Sequence, residues 1–600
     1  YGVEPDIARA AELYRQAAEQ GFAAAQCNLA VCLLNGRGLK KNAAAAVEWL
    51  ERAAEQGYPR AQNLLGECCE QGRGTERDEE RAVEQYRRAA EQGHAGALCN
   101  LGLCLLYGRG VAEDEAGAVE RLTQAAEQNS LCAVETLGIC YEFGYGVAED
   151  RQRAVEQYRR AAEEGYAPAQ TRLARCLLNA CGVEKDEAAA VKWLERAAEQ
   201  EFPWAQAMLG ECCEQGRGTA ADGTRAVELY RRAAEKGYAP AQCSLAVCLL
   251  EGHGAEKNEA EAVAWLRRAA KENSPRAVDL LGQCYEKGLG VEADEARALR
   301  LYRQAAEAGH TWAQFHLGRC LIRIRGWGVD EGVEWLSLAA QKKNPKALVA
   351  LAECFEWGWG VEIDLRRAMS LYAKASGQGY GLAQYRLGLC LFHGRGMESL
   401  DREQNEKSSI GWFQRAAEEG VAEALDQLGV CCETGRGMEA NAEQAADYYA
   451  QAAKKGCASA RRHLALCYFS GLGVEKDPVR AVALLRQAAE QNDAGAVFEL
   501  ARCYQSGRGV SRNRAEAQEL FQRAFKLWKQ RIFDRKDLEA ALEAARCCRD
   551  GLGVEKDVAE AERWFAFAAR RGVSEAEKEL QELLAAKRDG SLLRRIFRGR

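Results

Sequence analysis

The apolar positions of this chain come back every 36 residues, and each return carries the same two helical stripes. In residues 42–74, Ala46, Leu50, Ala53 and Ala54 fall at helical spacing, with Glu48, Arg52 and Glu55 on the opposite side. That pattern predicts an amphipathic helix, helix A. Asn42 precedes it at the cap position, and Asp6, Asp78, Asp114, Asp150, Asp186, Asp222, Asn258, Asp294, Asp364, Asn441, Asp477, Asn513 and Asp557 stand in the same place. Their side-chain oxygens can accept from the free N–H groups of a first turn. Gly57 follows helix A, as do Gly21, Gly93, Gly165, Gly237 and Gly309, while Asn129, Asn273, Asn344 and Asn492 take that role elsewhere. Both residue types tolerate the left-handed conformation that stops a helix. Helix B opens near Pro59 and sets Ala61, Leu65 and Cys68 on one face, with Gly66 at its margin for a close neighbour. Gly72-Arg73-Gly74 then breaks it.

The end of helix B and its glycine pair return as one frame, from Leu65 to Gly74, from Leu101 to Gly110 and onward. The first glycine falls at Gly36, Gly72, Gly108, Gly144, Gly216, Gly252 and Gly288, with Ala180 standing in once. A lone helical hairpin cannot bury its own apolar faces, so such units must stack. The expectation is an all-α solenoid of about sixteen helix-turn-helix units, a single array over residues 1–590, followed by a basic tail over 591–600.

The run Ala133-Val-Glu-Thr-Leu-Gly-Ile-Cys-Tyr-Glu-Phe-Gly-Tyr-Gly-Val-Ala-Glu-Asp150 matches A-x-x-x-L-G-x-x-Y-x-x-G-x-G-V-x-x-D at each fixed position. Followed by helix A and A-A-x-x-G, it resembles the Sel1-like repeat, a relative of the tetratricopeptide repeat. The resemblance covers nearly the whole chain and implies a right-handed superhelical solenoid that serves as an adaptor between proteins. Where the family usually has Leu before the Tyr, this chain has Cys. Alternate units also replace that Tyr with Leu, as at Leu33, Leu105, Leu177 and Leu249. Helix A alternates in step: Leu50, Leu122 and Leu194 interleave with Tyr86, Tyr158 and Tyr230, and Trp49, Trp193, Trp265, Trp335 and Trp412 occur in the Leu-type units. The array reads as a duplicated pair with a second period of 72.

Three places leave the period. Two extra residues between Cys320 and Gly326 predict a late helix A, making 320–336 irregular. A polar insertion runs from Met397 to Ile410, the irregular stretch 397–411. A longer step through Phe525–Phe533 makes 525–540 the third, and sets Trp528, Ile532 and Phe533 among basic residues. Tolerated loop variation is the favoured reading of all three, although insertions in repeats also map to binding faces. Residues 574–587 read as a last helix B that caps the array.

Charge and cysteine content narrow the chemistry. A net charge of -7 with mixed signs argues against a nucleic-acid footprint. No run approaches the roughly 20 apolar residues that span a bilayer, although the tail 591–600 could touch an anionic membrane surface. Tyr1-Gly2-Val3 aligns with Arg37-Gly38-Leu39, so the natural N-terminus is expected upstream and a targeting signal there stays open. Of the 25 cysteines, fifteen hold the same place in helix B, from Cys32 to Cys547. Stacked helices sit roughly 8–10 Å apart, whereas a disulfide wants Cα atoms within about 7 Å. These thiols are expected to be small, buried and reduced, which suits the cytoplasm or another reducing compartment. His316 with Cys320 and His463 with Cys467 offer two ligands each where structural zinc takes four, so no metal and no cofactor is expected. The glycine pairs follow helices and lack the lysine of a phosphate loop. With no nucleophile–base constellation, an enzyme is not expected.

What remains is recognition. The expectation is a non-catalytic scaffold that grips a partner protein or peptide on a concave helix-A surface. The candidate residues are Glu48, Arg52, Glu84 and Arg88 on helix A, Arg37, Arg73 and Arg109 in the glycine pairs, and Trp528 and Phe533 at the third break. The alternative is a structural subunit of a large assembly, or a self-associating rod.

Overall fold

The computed structural model describes residues 6–324, 328–395, 402–535, 537–570 and 573–588. Among them are 32 helices and no strand. Their contacts gather into two compact units, residues 1–298 and 299–600, each built from the same repeat. The tail 591–600 lies outside the described residues.

Each expected cap is made. The side chain of Asn42 accepts from the Ala45 N–H at 3.1 Å, that of Asp78 from Arg81 at 2.9 Å, and that of Asp222 from Arg225 at 2.9 Å. An Asp or Asn at this place stabilises its helix by about 1 kcal/mol relative to Ala. Helix A then ends in a left-handed residue, as at Gly57 (φ 79°) and Asn129 (φ 59°). One assignment shifts by a residue. Lys343 takes the left-handed position (φ 60°), and Asn344 instead caps the next helix by accepting from Ala347 at 3.0 Å.

Helix B packs more extensively on the helix A that follows it than on the one before. Here the alternation of unit types finds its cause. Tyr86, fully buried in helix A (Glu79–Glu91), donates its hydroxyl to Glu70 of the preceding helix B at 2.8 Å. Tyr158 with Glu142, Tyr230 with Glu214, Tyr372 with Glu356 and Tyr449 with Glu433 repeat that bond at 2.7–2.8 Å. Where helix A carries Leu50, Leu122 or Leu194, the Glu place holds Leu34, Leu106 or Leu178. A buried phenol needs an acceptor and a leucine does not.

The three breaks differ from the expectation. Helix A at Val329–Gln341 starts 34 residues after the one at Glu295–Glu307, so the step is shortened there and the helix is early. Gly328, at φ 106°, stands at its N-cap, where other units have Asp or Asn. At the second break, residues 402–410 are helical: the described part of the insertion lengthens helix A to 17 residues, Arg402–Glu418. At the third, helix A runs on through the extra residues as a 22-residue helix, Arg514–Arg535. Phe521, Ala524, Phe525, Trp528 and Ile532 then form one continuous core stripe. Trp528 is 4 % exposed, its ring 5.2 Å from that of Phe498, so it is a core residue and not a projecting anchor. Phe533, on the other side of the same helix, is 81 % exposed. Trp528→Ala is expected to lower the stability of the second unit by about 3–5 kcal/mol. Phe533→Ser should change it by no more than about 0.5 kcal/mol. Urea denaturation of the two variants checks both values.

Candidate interaction surface

Within each unit the two rows of helices are not equivalent. Successive B helices approach one another along their backbones, as Ala23–Asn35 does Pro59–Gln71 and Ala239–Glu251 does Pro275–Lys287. Neighbouring A helices are instead joined by long side chains, such as Arg225 to Glu195 at 2.8 Å. The B row is therefore the more closely spaced of the two, and in a stack that curves the closer-spaced row is the inner one. The expected helix-A wall lies on the more widely spaced row. Glu48 and Arg52, like Glu84 and Arg88, lie on the outer row. There Arg88 pairs with Glu84 at 2.9 Å and the Arg52 guanidinium lies 4.5 Å from the Trp49 ring.

Numbered from its first residue, helix B is constant where it faces the core and variable where it faces inward. The third position is Ala in all sixteen B helices and the tenth is Cys in the first fifteen, as in Ala61 and Cys68, with Leu583 in the last. The fifth runs Cys27, Asn63, Cys99, Glu135, Thr171, Ala207, and the ninth Val31, Glu67, Leu103, Ile139, Arg175, Glu211. These variable side chains meet across neighbouring B helices. Asn100 donates to Asn63 at 3.0 Å, Arg175 to Glu142 at 2.6 Å, and Arg386 to Glu353 at 2.7 Å. Arg172 is ion-paired with Glu135. In the first unit the thirteenth position is aromatic twice running, at Tyr107 and Phe143, each 51 % exposed.

The second unit holds a groove of about 700 Å³ on the same side, between the B helices Ala458–Ser470, Ala494–Ser506 and Leu538–Asp550. Phe498, Phe521, Trp528 and Leu542 line its apolar part. Arg462, Arg502, Arg531 and Arg546 stand with Glu499, Glu543 and Glu575 around them. Arg546 bonds both Glu543 (2.5 Å) and Glu575 (2.6 Å), and burial pushes the Glu543 carboxyl above its usual range. Such a surface offers aromatic faces and fixed charges but no nucleophile with a base beside it. Among the described residues, no three His, Cys, Asp or Glu side chains group as metal ligands.

The match of the chain to known repeats agrees with this register. A model of the Sel1 repeat matches sixteen successive segments, among them 23–58, 59–94, 95–130, 239–274, 422–457 and 538–573. The chain belongs to the Sel1 repeat family. From residue 23 onward the matched segments follow the pairing of a helix B with the helix A after it, the pair that packs most extensively. Over 93 residues the chain is 36 % identical to chitin synthase regulatory factor 3 of Schizosaccharomyces pombe, which covers 15 % of this chain and 10 % of that protein. The chain thus spans about a tenth of the length of this curated relative. Among solved structures, c5321, a protective antigen of uropathogenic Escherichia coli, is 27 % identical, with a TM-score of 0.34 over 90 % of this chain and 96 % of that one. A Sel1 repeat protein from Oxalobacter formigenes is 30 % identical, with a TM-score of 0.35 over 50 % and 87 %. Sel1 and related repeats generally mediate contacts between proteins, and their solenoid is typically non-catalytic. No helix among the described residues is long and apolar enough to cross a membrane.

In this Sel1 array three of the glycine-pair arginines are tied to the preceding repeat. Arg109 reaches back to Glu70 at 2.7 Å, Arg395 to Glu356 at 3.0 Å, and Arg508 to the Phe469 carbonyl at 2.7 Å. They stitch one repeat to the one before. Arg37 and Arg73 are exposed, and Arg73 donates to Gln71 at 3.3 Å. The groove residues Leu466, Phe498 and Arg502 were not among those the sequence singled out. Their signal was available, because each sits at a position of helix B that varies while its neighbours stay fixed.

Proposed function

We propose that the chain is a non-catalytic scaffold that holds a partner protein or peptide along the inner row of B helices, with the groove of the second unit as its main seat. The observation that carries this is the division of helix B into invariant core positions and variable inward ones. A stack selected only for its own stability has no use for inner positions that vary so widely from unit to unit; a stack that reads a partner does. Aromatic and arginine side chains at a desolvated centre are also the usual anchors of protein recognition.

The test compares two double variants of the full chain as bait for partner capture. Leu466→Glu with Arg502→Glu alters the groove, and Glu84→Lys with Arg88→Glu alters the outer row. Leu466 is 37 % exposed and the Arg502 side chain 61 %, so both substitutions leave the core alone. The groove variant is expected to lose at least about tenfold in apparent affinity, which is about 1.4 kcal/mol, while the outer variant binds like the parent. Loss in the outer variant alone would move the site to helix A. Sedimentation velocity over a wide concentration range separates a foreign partner from self-assembly, since a scaffold stays a monomer and a rod grows.

A further inference from the structure

We propose that Cys99 and Cys132 form a reversible thiol–disulfide site between two consecutive B helices, with hydroperoxides as the oxidant class. The pair occupies the fifth position of helix B Ala95–Tyr107 and the second position of helix B Leu131–Phe143. That register brings side chains together wherever the structure shows it. Ser459 and Asp426, also 33 residues apart, are hydrogen-bonded at 2.6 Å. A Cβ added to Gly495 would lie 2.9 Å from the Arg462 Cδ, and one added to Gly96 would lie 3.8 Å from the Asn63 Nδ2. Cys99 and Cys132 are the one place along the chain where both positions are cysteine; the partners of Cys27 and Cys243 are Arg60 and Arg276.

The two thiols lie close enough at this register to influence each other's ionisation, and the Tyr166 hydroxyl acts on Cys132 as well. Cys99, and to a lesser degree the Tyr166 hydroxyl, hold the Cys132 thiol below its ordinary range against burial and the nearby Glu135 carboxylate. Burial instead raises the neighbouring core thiols Cys104 and Cys140 to about 11. Cys99 is 2 % exposed while Cys132 is half-buried, so solvent reaches one member of the pair and its partner waits behind it. A low, accessible thiol beside a second one is the arrangement of a redox-responsive cysteine. The Cys132 thiolate attacks a peroxide oxygen; an S–O bond forms, the O–O bond breaks, and water leaves after taking a proton. The Cys99 sulfur then attacks the sulfenic sulfur, the S–S bond forms, and the hydroxyl leaves as water with the Cys99 proton. Two thiols and one hydrogen peroxide thus give one disulfide and two waters. The bridge fixes the spacing of two adjacent inner helices, those that carry Tyr107 and Phe143.

The experiment treats the full chain with graded hydrogen peroxide, blocks free thiols, reduces, labels the released thiols and reads tryptic peptides by mass spectrometry. Cys32 and Cys181 are the comparators, because they too are half-buried but stand outside the fifth-to-second register that pairs Cys99 with Cys132. Cys132 should oxidise about tenfold faster than either, and a Cys99–Cys132 cross-link that dithiothreitol reverses should be the first disulfide to appear. In Cys99→Ala, Cys132 should stop at a sulfenic acid trapped by dimedone; in Cys132→Ala, Cys99 should stay reduced. The fold accepts alanine at both positions, as Ala207 and Ala24 show. Equal oxidation of the three half-buried thiols, or a first disulfide between other cysteines, would overturn the proposal, and the parent chain alone yields that result if a variant fails to fold.

Discussion

Gly110→Ala should cost the first unit about 3–5 kcal/mol, and Gly108→Ala, two residues earlier in the same turn, only about 1 kcal/mol. Both glycines are left-handed, at φ 65° and 63°, so the strain of placing a Cβ there is shared. Their surroundings are not. A methyl on Gly110 would sit 2.2 Å from the Glu79 carbonyl oxygen and 2.8 Å from the Glu80 nitrogen, both backbone atoms at the start of the preceding helix A. Backbone in a capped helix cannot step aside, so the repeats must part. A methyl on Gly108 meets nothing closer than the Glu113 Cβ at 3.7 Å. The chain has already made the milder substitution, since Ala180 takes the place of Gly108 with φ 55°. At the second place Gly74, Gly146, Gly218 and Gly473 each approach a helix-A carbonyl oxygen within 2.3 Å on the same construction. The difference is measured by urea denaturation, and hydrogen exchange should place the Gly110→Ala loss in the repeats on either side of the turn. Equal losses for the two variants would mean that the close approach carries no weight.

The sequence made the repeat, the caps and the helix ends readable because each is a local matter. An Asp before an apolar stripe, or a glycine after it, acts through its own dihedral angles and the next turn. Misreadings arose where the deciding contact lies outside one unit. Periodicity tells which side of a helix is buried but not which of two rows is spaced more closely, and Glu48 and Arg52 lie on the wider-spaced row. The break near Trp528 was judged by its departure from 36, while the finer period was intact: Phe521, Phe525, Trp528 and Ile532 are spaced 4, 3 and 4 apart, which is a helix with one buried face. Cys99 and Cys132 were missed for a related reason. Their separation of 33 is not the repeat length, so comparing equivalent positions never sets them side by side.

The buried thiols also set how the array responds to alkali. In the first unit burial holds Cys68, Cys104, Cys140, Cys212, Cys248 and Cys284 at about 11, above their ordinary 9.0. A thiol raised on folding keeps its proton in the native state where the unfolded chain has lost it. Its contribution is therefore complete below about pH 9 and disappears as the pH climbs toward 11. Each such group removes about 1.4 kcal/mol per pH unit in that window, so six acting together remove about 8 kcal/mol per unit. Tyr86, Tyr158 and Tyr230 add to the loss above pH 10, because burial and the hydrogen bonds to Glu70, Glu142 and Glu214 raise them from 10.0. Cys132, lowered on folding, runs the other way but is a single group. Alkaline titration followed by circular dichroism should keep full helix content to about pH 9 and then lose it steeply before pH 11, with thiolate and phenolate absorbance appearing in the same transition. Gradual thiolate absorbance with helix content unchanged up to pH 11 would show that these cysteines ionise within the fold, and that the core of the repeat is wetter than its packing implies.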